Sequence, residues 1–491
     1  DYLATKAPLE DILETMLKAG LEVEHVEDPA EKLSEFTVAH VTAAEPHPDA
    51  DRLRVCTVET KDGTRQIVCG APNARAGMTA IYAPLGTYIP GLDFSLDKKP
   101  RKIRGIESYG MLCSTKEIEA GEDSDGIADL EGDWPVGTPA AEALGLTDKI
   151  IDFEVTPNRP DWLGVQGIAR DLAAAGAGRF IENPIKKVEG SYDCPVDIQL
   201  EAPEACPVFA GALVRGVTNG PSPEWMQQRL KALGITPRSL LVDITNYISY
   251  DRARPLHAYD AAKLKGAVTA RLGKAGEKLE AIDGKTYDLG DEMCVIADES
   301  GPIGLGGVMG GQSTAVSAET TDVFIESAWF DPTRTARTGR DTGIISDARY
   351  RFERGVDPQS CMDGLNFALM LIKEYGGGEV SHAKVAGQPP APQPKVLFDR
   401  RDVPRLTGLE TKAADLKKMM KDLGFGLEDT GEAWYLTMPS WRFDIEQSAD
   451  IVEEVARLTG YDQLPTQSLP IPEGGRKSLV TPTQARIRTA R

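Results

Sequence analysis

Short apolar runs separated by turn residues dominate positions 35–148. The runs are FTVAHVTAAEPH, RVCTVET, QIVCGA and TAIYAPLGTYI, with Gly, Pro, Asn and Asp standing between them. This spacing predicts a series of short β-strands. Their number favours a small five-stranded barrel of the oligonucleotide-binding type.

Apolar positions follow a helical period near both ends of the chain. In APLEDILETMLKAGLEVEHV, within residues 1–34, they predict a helix that ends at Gly20 and must pack against another part of the protein. LKKMMKDLGFGLEDTG and ADIVEEVARLTGY repeat the pattern, and WYLTMPSWRFDI between them is typical of a hairpin, so residues 396–465 are predicted to form a compact, mainly helical domain. The segment AGQPPAPQPK, residues 386–395, is rich in proline and is predicted to be an extended spacer before that domain.

The centre of the chain, residues 201–385, mixes both patterns and is predicted to be a large α+β domain. Its segment TDVFIESAWF places Glu326 among apolar neighbours, so the carboxylate is predicted to be partly buried. A buried carboxylate is unfavourable unless a group donates a hydrogen bond to it. His257 follows Pro255 among short polar and acidic residues, which suits a polar cleft. Each residue also has an ordinary explanation, since His257 fits a loop and Glu326 fits a strand position that faces water.

The glycine-rich segment IGLGGVMGG, residues 303–311, does not have the features of a phosphate-binding loop. It lacks the Lys-Ser/Thr pair and is followed by QSTAVSAET instead of an apolar helix. We interpret its glycines as letting the backbone come close to a bound group. Further on, residues 333–358 carry six arginines, which either hold an RNA end or pair with nearby acidic residues.

Composition and charge narrow the functional classes. A chain of 491 residues predicts several domains, and 41% hydrophobic with 27% charged residues is typical of soluble globular protein. The net charge of −21 argues against a general nucleic-acid binder, which carries a basic surface. Any RNA contact must then use local basic clusters, such as KKPRKIR at residues 98–104 or the arginine-rich C-terminal end, or charge from a second subunit.

Cysteine usage and hydropathy indicate a cytoplasmic protein. The seven cysteines are an odd number and contain no CxxC pair, which argues against a zinc site and a disulfide framework. No apolar run approaches the ~20 residues that span a bilayer, so we expect no membrane association.

Four carboxylates stand close together near the C-terminal helix. Asp450, Glu453 and Glu454 are spaced i, i+3 and i+4, and Asp444 precedes them. Such groups repel one another unless a cation or a basic partner joins them, and oxygen-only ligands favour Mg²⁺. From the residues alone, a solvated acidic face is the preferred interpretation.

Several separate motifs, in order, resemble the β subunits of bacterial phenylalanyl-tRNA synthetases. DITNY, PLHAYD, GLGGVMGG, FIESAWF and ISDARYRFERG are similar to the editing domain of that family. HPDADRLRVC and SYGMLCS resemble its tRNA-binding module, and DFEVTPNRPDWLG resembles the segment that completes its N-terminal unit. PSWRFDI with ADIVEEVARLTGYDQLP is similar to the segment that contacts the catalytic α subunit.

The resemblance implies a multidomain α+β protein. Its expected parts are an N-terminal α+β unit (1–34 with 149–200), an oligonucleotide-binding barrel (35–148), an α+β editing domain (201–385), the spacer (386–395), a small helical domain of winged type (396–465), and a linker (466–491) toward a catalytic-like domain that this sequence does not contain.

The resemblance also implies the function and the site residues. The expected function is tRNA binding and hydrolytic editing of Tyr-tRNA(Phe), within an α₂β₂ ligase whose α subunit binds ATP and attaches Phe to tRNA(Phe). Expected catalytic residues are His257, Thr245 and Asn246, with Asp243 in support; expected substrate-binding residues are Glu326, Gly310, Ser346 and Ala348; and the expected ligands of a Mg²⁺ shared with the α subunit are Asp444, Asp450, Glu453 and Glu454. The alternative is a tRNA-binding or assembly scaffold without active editing.

Overall fold

The computed structural model describes residues 1–121, 123–431, 433–466 and 480–490. Most of the expected linker at 466–491 therefore lies outside the described residues; the described part contains the helix Pro482–Ala490. Within the described ranges, no helix is both long enough and apolar enough to cross a bilayer.

Two segments far apart in the sequence build the N-terminal unit. The strand Glu22–Glu27 pairs antiparallel with Ile150–Glu154, and Leu3–Ala4 pairs with Arg179–Phe180. The helices Leu9–Lys18 and Val165–Ala174 contribute Met16 and Leu172 to a shared core. The apolar stripe of the first helix is thus covered by the second segment.

A five-stranded antiparallel sheet follows, with neighbours in the order Met111–Cys113, Met78–Ala83, Thr37–His47, Ala50–Thr60 and Gly63–Cys69. Alternate residues of these strands, such as Val58 and Ile67, are fully buried in one core. The strand-rich pattern of residues 35–148 is confirmed, while closure into an oligonucleotide-binding barrel remains a prediction.

The central domain contains two five-stranded sheets packed face to face. The strands of the first sheet are His257–Asp260, Val323–Trp329, Val208–Arg215, Glu379–Val380 and Lys384–Gly387, the last two both pairing with Val208–Arg215. The second has the order Ile198–Leu200, Val268–Leu272, Cys294–Asp298, Gly301–Leu305 and Met309–Gly310.

The strand Val323–Trp329, which we call the Glu326 strand, separates two cores. Val323 and Ile325 pack against the helices Leu240–Arg252 and Cys361–Tyr375. Phe324 and Ala328 face the second sheet instead. Because strand side chains alternate, Glu326 lies on the same face as Phe324 and Ala328, away from the helices.

The C-terminal domain is not purely helical. The helices Asp402–Thr407, Ala413–Asp422 and Ser448–Thr459 are joined by a three-stranded antiparallel sheet, in which Trp434–Thr437 lies between Val396–Phe398 and Gly426–Asp429. Short strands with few residues explain why the helical period dominated the sequence pattern. The overall architecture is therefore mixed α/β and multidomain, and the winged detail remains a prediction.

The boundary of the proline-rich spacer also needs correction. Ala386 and Gly387 belong to the strand Lys384–Gly387, so the central domain reaches two residues further than expected, and residues 388–395 carry no regular structure.

The remaining helices, 3-10 turns and short strands are Pro29–Lys32, Tyr88–Ile89, Pro90–Leu92, Phe94–Ser95, Arg101–Ile103, Ile106–Ser108, Ala140–Ala143, Pro160–Leu163, Glu224–Ala232, Ala261–Lys263, Lys278–Glu280, Thr286–Asp288, Gln312–Thr314, Pro332–Thr342, Asp347–Phe352, Pro358–Ser360 and Tyr461–Gln463.

Candidate functional site

His257 and Glu326 lie directly opposite each other on neighbouring antiparallel strands. Side chains at such a pair project from the same face of the sheet, only about 4.5–5.5 Å apart at Cβ. This face is the one turned toward the second sheet, where the glycine-rich segment runs. Two residues separated by 69 positions in the sequence are thus brought together by strand register.

Glu326 is a buried acid with one occupied oxygen. Its side chain is only 6% exposed, and the Tyr259 hydroxyl donates a hydrogen bond of 2.5 Å to Oε2. No described residue hydrogen-bonds Oε1. Burial raises the pKa of Glu326 to about 7, against the opposing effects of the Tyr259 hydrogen bond and the nearby Arg254 guanidinium. The acid therefore retains one free oxygen and titrates near neutral pH.

His257 is held neutral by its surroundings. Burial lowers the pKa of its imidazole to about 4. Its Nε2 is buried without a hydrogen-bond partner, while the ring packs edge-on against Tyr259 with centroids 4.4 Å apart. A neutral imidazole with an unpartnered nitrogen is able to accept or donate a hydrogen bond to a small molecule.

Gly310 leaves the space that the His257 ring occupies. A Cβ at this position would lie 2.2 Å from Cε1 and 2.6 Å from Nε2 of His257. The backbone of Gly310 is not in the left-handed region, so the close approach of the imidazole is what demands glycine here. The glycine-rich segment therefore forms the cavity wall against His257, and its close approach to a bound group stays a prediction.

These residues line one small cavity of about 60 Å³. Ala348, in the helix Asp347–Phe352, forms part of its wall. Ser346 caps that helix by accepting from the Arg349 amide and donates a hydrogen bond of 2.6 Å to the carbonyl of Val308. Ser346 thus fixes the rim without lining the cavity. The lining residues are Pro255, Leu256, His257, Tyr259, Ile296, Gly304 to Gly310, Glu326, Phe330, Ala348 and Phe352.

Thr245, Asn246 and Asp243 are elsewhere, on the helix Leu240–Arg252, and none of them lines this cavity. Asp243 is 1% exposed and accepts hydrogen bonds from the Ser222 hydroxyl and the Arg238 amide. Its contacts hold the loop before the helix. The half-buried Thr245 donates to the carbonyl of Val242 within its own helix, and Asn246 is half-buried too.

Sequence reasoning missed Tyr259, although a signal was present. In a strand, the residue two positions after His257 projects from the same face. Tyr259 does so and is the hydrogen-bond donor to the acid. Arg254 was missed as well: its Nη2 donates to Ser327 Oγ and to the Ala328 carbonyl, directly behind the Glu326 strand.

The six arginines of residues 333–358 divide into two groups. Four are engaged within the protein: Arg334 pairs with Glu292, Arg349 and Arg354 pair with Glu353, and Arg351 donates to the Ser249 carbonyl. Arg337 and Arg340 are exposed on the helix Pro332–Thr342, one turn apart, and make no ion pair with a described residue. Most of the cluster is therefore structural, and two guanidinium groups face solvent.

The four acids expected to bind Mg²⁺ do not form one cluster. Across the described ranges there is no group of three or more His, Cys, Asp or Glu side chains arranged to hold a metal ion. Asp444 is paired with Arg442, and Asp450 accepts from the amides of Glu446 and Gln447 as a helix cap.

Glu454 and Glu453 also fail to converge. Glu454 is 4% exposed and pairs with Arg442 and Arg457, whereas Glu453 is exposed. Burial would raise the pKa of Glu454, but the two guanidinium groups outweigh it and hold the pKa well below its ordinary value. This corrects the expectation of one acidic cluster: despite the i, i+3, i+4 spacing, tertiary packing places Glu454 in the interior, where two arginines neutralise it.

Comparison with protein families matches three domains in sequence order. Residues 36–139 match a putative tRNA-binding domain, residues 205–377 a B3/4 domain, and residues 396–461 a tRNA synthetase B5 domain. The site described above lies within the B3/4 match. Together, the domains define a subunit of an aminoacyl-tRNA synthetase.

Comparison with curated relatives narrows the class from aminoacyl-tRNA synthetase subunits in general to one kind of subunit. The chain is 48% identical to the phenylalanine–tRNA ligase β subunits of Rhodopseudomonas palustris and Mesorhizobium japonicum, with 100% of this chain and 61% of each relative aligned. The same subunit of Rhodospirillum rubrum is 48% identical over 100% of this chain and 62% of its own. The chain belongs to the family of phenylalanine–tRNA ligase β subunits, and it spans about 61% of the length of these relatives.

A solved structure is also similar, at greater distance. An N-terminal fragment of the phenylalanyl-tRNA synthetase β subunit from Pyrococcus horikoshii aligns with 63% of this chain and 86% of its own, at 18% identity and a TM-score of 0.34. This similarity is too distant to support any statement about the site.

Proposed function

We propose that this chain contributes tRNA binding and hydrolytic editing to a phenylalanine–tRNA ligase, with Tyr-tRNA(Phe) as the editing substrate. The observation that supports it best is the buried Glu326, whose Oε1 has no hydrogen-bond partner among the described residues, opposite His257 in one cavity. A free acceptor in an apolar wall is suited to a phenolic hydroxyl.

The need for such a site follows from pocket chemistry. An apolar pocket shaped for Phe rejects Tyr only ~10²-fold, because an added hydroxyl is poorly discriminated. A pocket that selects Tyr over Phe can discriminate more sharply than a pocket that selects Phe over Tyr. If Phe enters the cavity, Glu326 remains buried without its hydrogen bond, and an unsatisfied buried polar group costs about 1–3 kcal/mol. Glu326 would therefore accept from Tyr and disfavour Phe. Ala348 would leave room for the tyrosine ring, and Gly310 would leave room for the His257 imidazole beside it.

The hydrolytic step would be direct attack by water on the ester carbon. No Ser, Thr or Cys is among the described residues that line the cavity, so the hydroxyl and thiol nucleophiles that usually form acyl intermediates are absent there. His257 would orient the water through a ring nitrogen. Because burial keeps the pKa of His257 at about 4, the imidazole is neutral at pH 7 and a weak base. The products are free tyrosine and tRNA with its terminal hydroxyl restored. Ser346 would shape the rim. Thr245 and Asn246 do not line the cavity, so they would act only on the part of the substrate that stays outside it, and Asp243 would hold the loop before their helix.

The rest of the ligase would be supplied by partners. The expected assembly is an α₂β₂ heterotetramer in the cytoplasm, in which the α subunit binds ATP and attaches Phe to tRNA(Phe). Among the residues that the structure describes, this chain does not form a Mg²⁺ site by itself. The tRNA would be held in part by the domain at residues 36–139.

A scaffold without editing is the second candidate, and one observation favours it. The cavity of about 60 Å³ is well below the ~300–1,000 Å³ of ordinary small-molecule sites. Editing therefore requires the glycine-rich wall or the helix Asp347–Phe352 to move when the aminoacyl end enters.

The test is hydrolysis of Tyr-tRNA(Phe) by the holoenzyme carrying Glu326→Ala or His257→Ala. We expect either variant to lose most of the hydrolysis while Phe attachment persists. Glu379→Ala, an exposed acid on the same sheet, is the matched control. Full hydrolysis by both site variants would overturn the assignment, and tRNA binding without hydrolysis by the unaltered enzyme would establish the scaffold.

A further inference from the structure

We infer that Tyr259 is a positioning residue for specificity: its hydroxyl holds one oxygen of Glu326, so that the other is presented to the substrate's phenol. The inference rests on the proposed function and extends it to a residue that does not contact the reacting ester. Its basis is the geometry of three side chains on one sheet face.

Strand register makes the contact possible. Tyr259 lies opposite Phe324, and Glu326 lies opposite His257, so Tyr259 and Glu326 are diagonal neighbours. Diagonal neighbours are ~7–8 Å apart at the backbone, which an aromatic side chain can span. The Tyr259 hydroxyl reaches Oε2 at 2.5 Å.

The Tyr259 ring itself is fixed. It is 1% exposed, packs edge-on against His257, and lies against Phe324 with ring centroids 6.3 Å apart. A donor on an immobile ring restricts rotation of the carboxylate that it binds. Oε2 is therefore occupied in the free protein, and Oε1 is the acceptor left for a ligand in the cavity.

The same hydrogen bond favours the ionised acid. Burial raises the pKa of Glu326 to about 7, and the hydrogen bond from Tyr259 works against that rise. Without the hydroxyl, the pKa would rise further and more of the acid would be protonated at neutral pH. A neutral acid accepts a weaker hydrogen bond than a carboxylate does. Tyr259 and Arg254 act on Glu326 directly, and the other titratable groups that face it are His257, Cys206 and Cys294.

The experiment uses Tyr259→Phe in the holoenzyme, which removes only the hydroxyl. Hydrolysis of Tyr-tRNA(Phe) and Phe-tRNA(Phe) is measured from pH 6 to pH 9. We expect the Tyr/Phe preference at pH 7 to fall about tenfold, and its pH midpoint to move upward, so that part of the preference returns at pH 9. Tyr287→Phe is the matched control, because it removes a hydroxyl bonded to Asp283 on the exposed surface.

A double variant tests whether Tyr259 acts through Glu326. In a Glu326→Gln background the carboxylate is gone, so Tyr259→Phe should change the preference no further. Additive effects would overturn the inference, as would an unshifted pH profile and unchanged preference in Tyr259→Phe. If the unaltered holoenzyme does not hydrolyse Tyr-tRNA(Phe), the proposed function fails and this inference fails with it. If it does hydrolyse and Tyr259→Phe behaves identically, only the inference fails.

Discussion

Gly310→Ala is a stringent test of the site because it adds one methyl group at the place where the protein has no room. The new Cβ would stand 2.2 Å from His257 Cε1, whereas ordinary contact begins near 3.4 Å. The imidazole must therefore move by about 1.2 Å, the difference between those two distances. Misplacement of a catalytic group by about 1 Å costs roughly 10²-fold in rate. We expect hydrolysis of Tyr-tRNA(Phe) by the holoenzyme to fall about 100-fold, and overpacking to destabilise the domain by about 1–3 kcal/mol.

Two controls separate this steric effect from other effects of the substitution. Gly220→Ala adds a methyl group in the same domain with no heavy atom within 4 Å, and should leave both hydrolysis and melting temperature unchanged. In a His257→Ala background the clash partner is absent, so Gly310→Ala should no longer lower the melting temperature. Attachment of Phe to tRNA(Phe) should persist throughout. Full hydrolysis by Gly310→Ala would refute the assignment of His257 to the reaction.

Three further predictions concern charge. The folded-state pKa of Glu326, about 7, lies above the ordinary value of 4.5, so ionisation of this carboxyl destabilises the fold as pH rises from 4.5 through 7. The Glu326→Gln variant cannot ionise there. Its free energy of unfolding, measured by denaturant unfolding at each pH, should therefore gain about 3 kcal/mol over that of the unaltered protein when the pH is raised from 4 to 8. The double variant Arg337→Glu with Arg340→Glu should raise KM for Tyr-tRNA(Phe) and lower the salt dependence of binding, whereas Lys373→Glu, on the helix across the sheet from the cavity, should do neither. Arg457→Ala removes one of the two arginines that pair with each of the buried acids Asp171 and Glu454, and leaves Arg159 and Arg442 as their remaining partners. We expect the free energy of unfolding to fall by about 3 kcal/mol, the lower end for a broken buried ion pair, and an unchanged urea midpoint would contradict the network.

The pattern of apolar and polar residues was sufficient for the strand-rich and helical regions, because short-range periodicity carries that information. In the C-terminal domain it indicated only a hairpin-like segment that includes Trp434–Thr437, and it missed the two flanking strands, which have only three or four residues and show too little alternation. It also could not show that Arg457, in the last long helix, pairs with Asp171 and donates to the carbonyl of Ala19. Contacts across more than 250 residues leave no local periodicity.

The candidate site, too, could be predicted from the local sequence pattern only in part. Burial of Glu326 follows from its apolar neighbours, and its partnership with His257 came only from the family resemblance. The contacts that each acidic side chain of the C-terminal domain makes could not be predicted from the spacing of these residues. Helical spacing places Glu454 near Asp450 and Glu453, yet tertiary packing turns Glu454 inward to two arginines, while Asp450 caps the helix.

Charge balance explains how an acid as buried as Glu326 can still be ionised near neutral pH. The buried Arg254 guanidinium lies behind the Glu326 strand, where its Nη2 donates to Ser327 Oγ and the Ala328 carbonyl. No carboxylate forms an ion pair with Arg254 among the described residues, and its Nε and Nη1 have no hydrogen-bond partner. An uncompensated cation lowers the pKa of a nearby acid. Desolvation raises the pKa of Glu326, and Arg254 and Tyr259 lower it from opposite sides of the strand. The balance of these effects leaves the pKa of Glu326 at about 7. Without either group the pKa of Glu326 would rise further and a larger fraction of the acid would be neutral at physiological pH, so the discrimination between a tyrosine and a phenylalanine in the cavity would shrink.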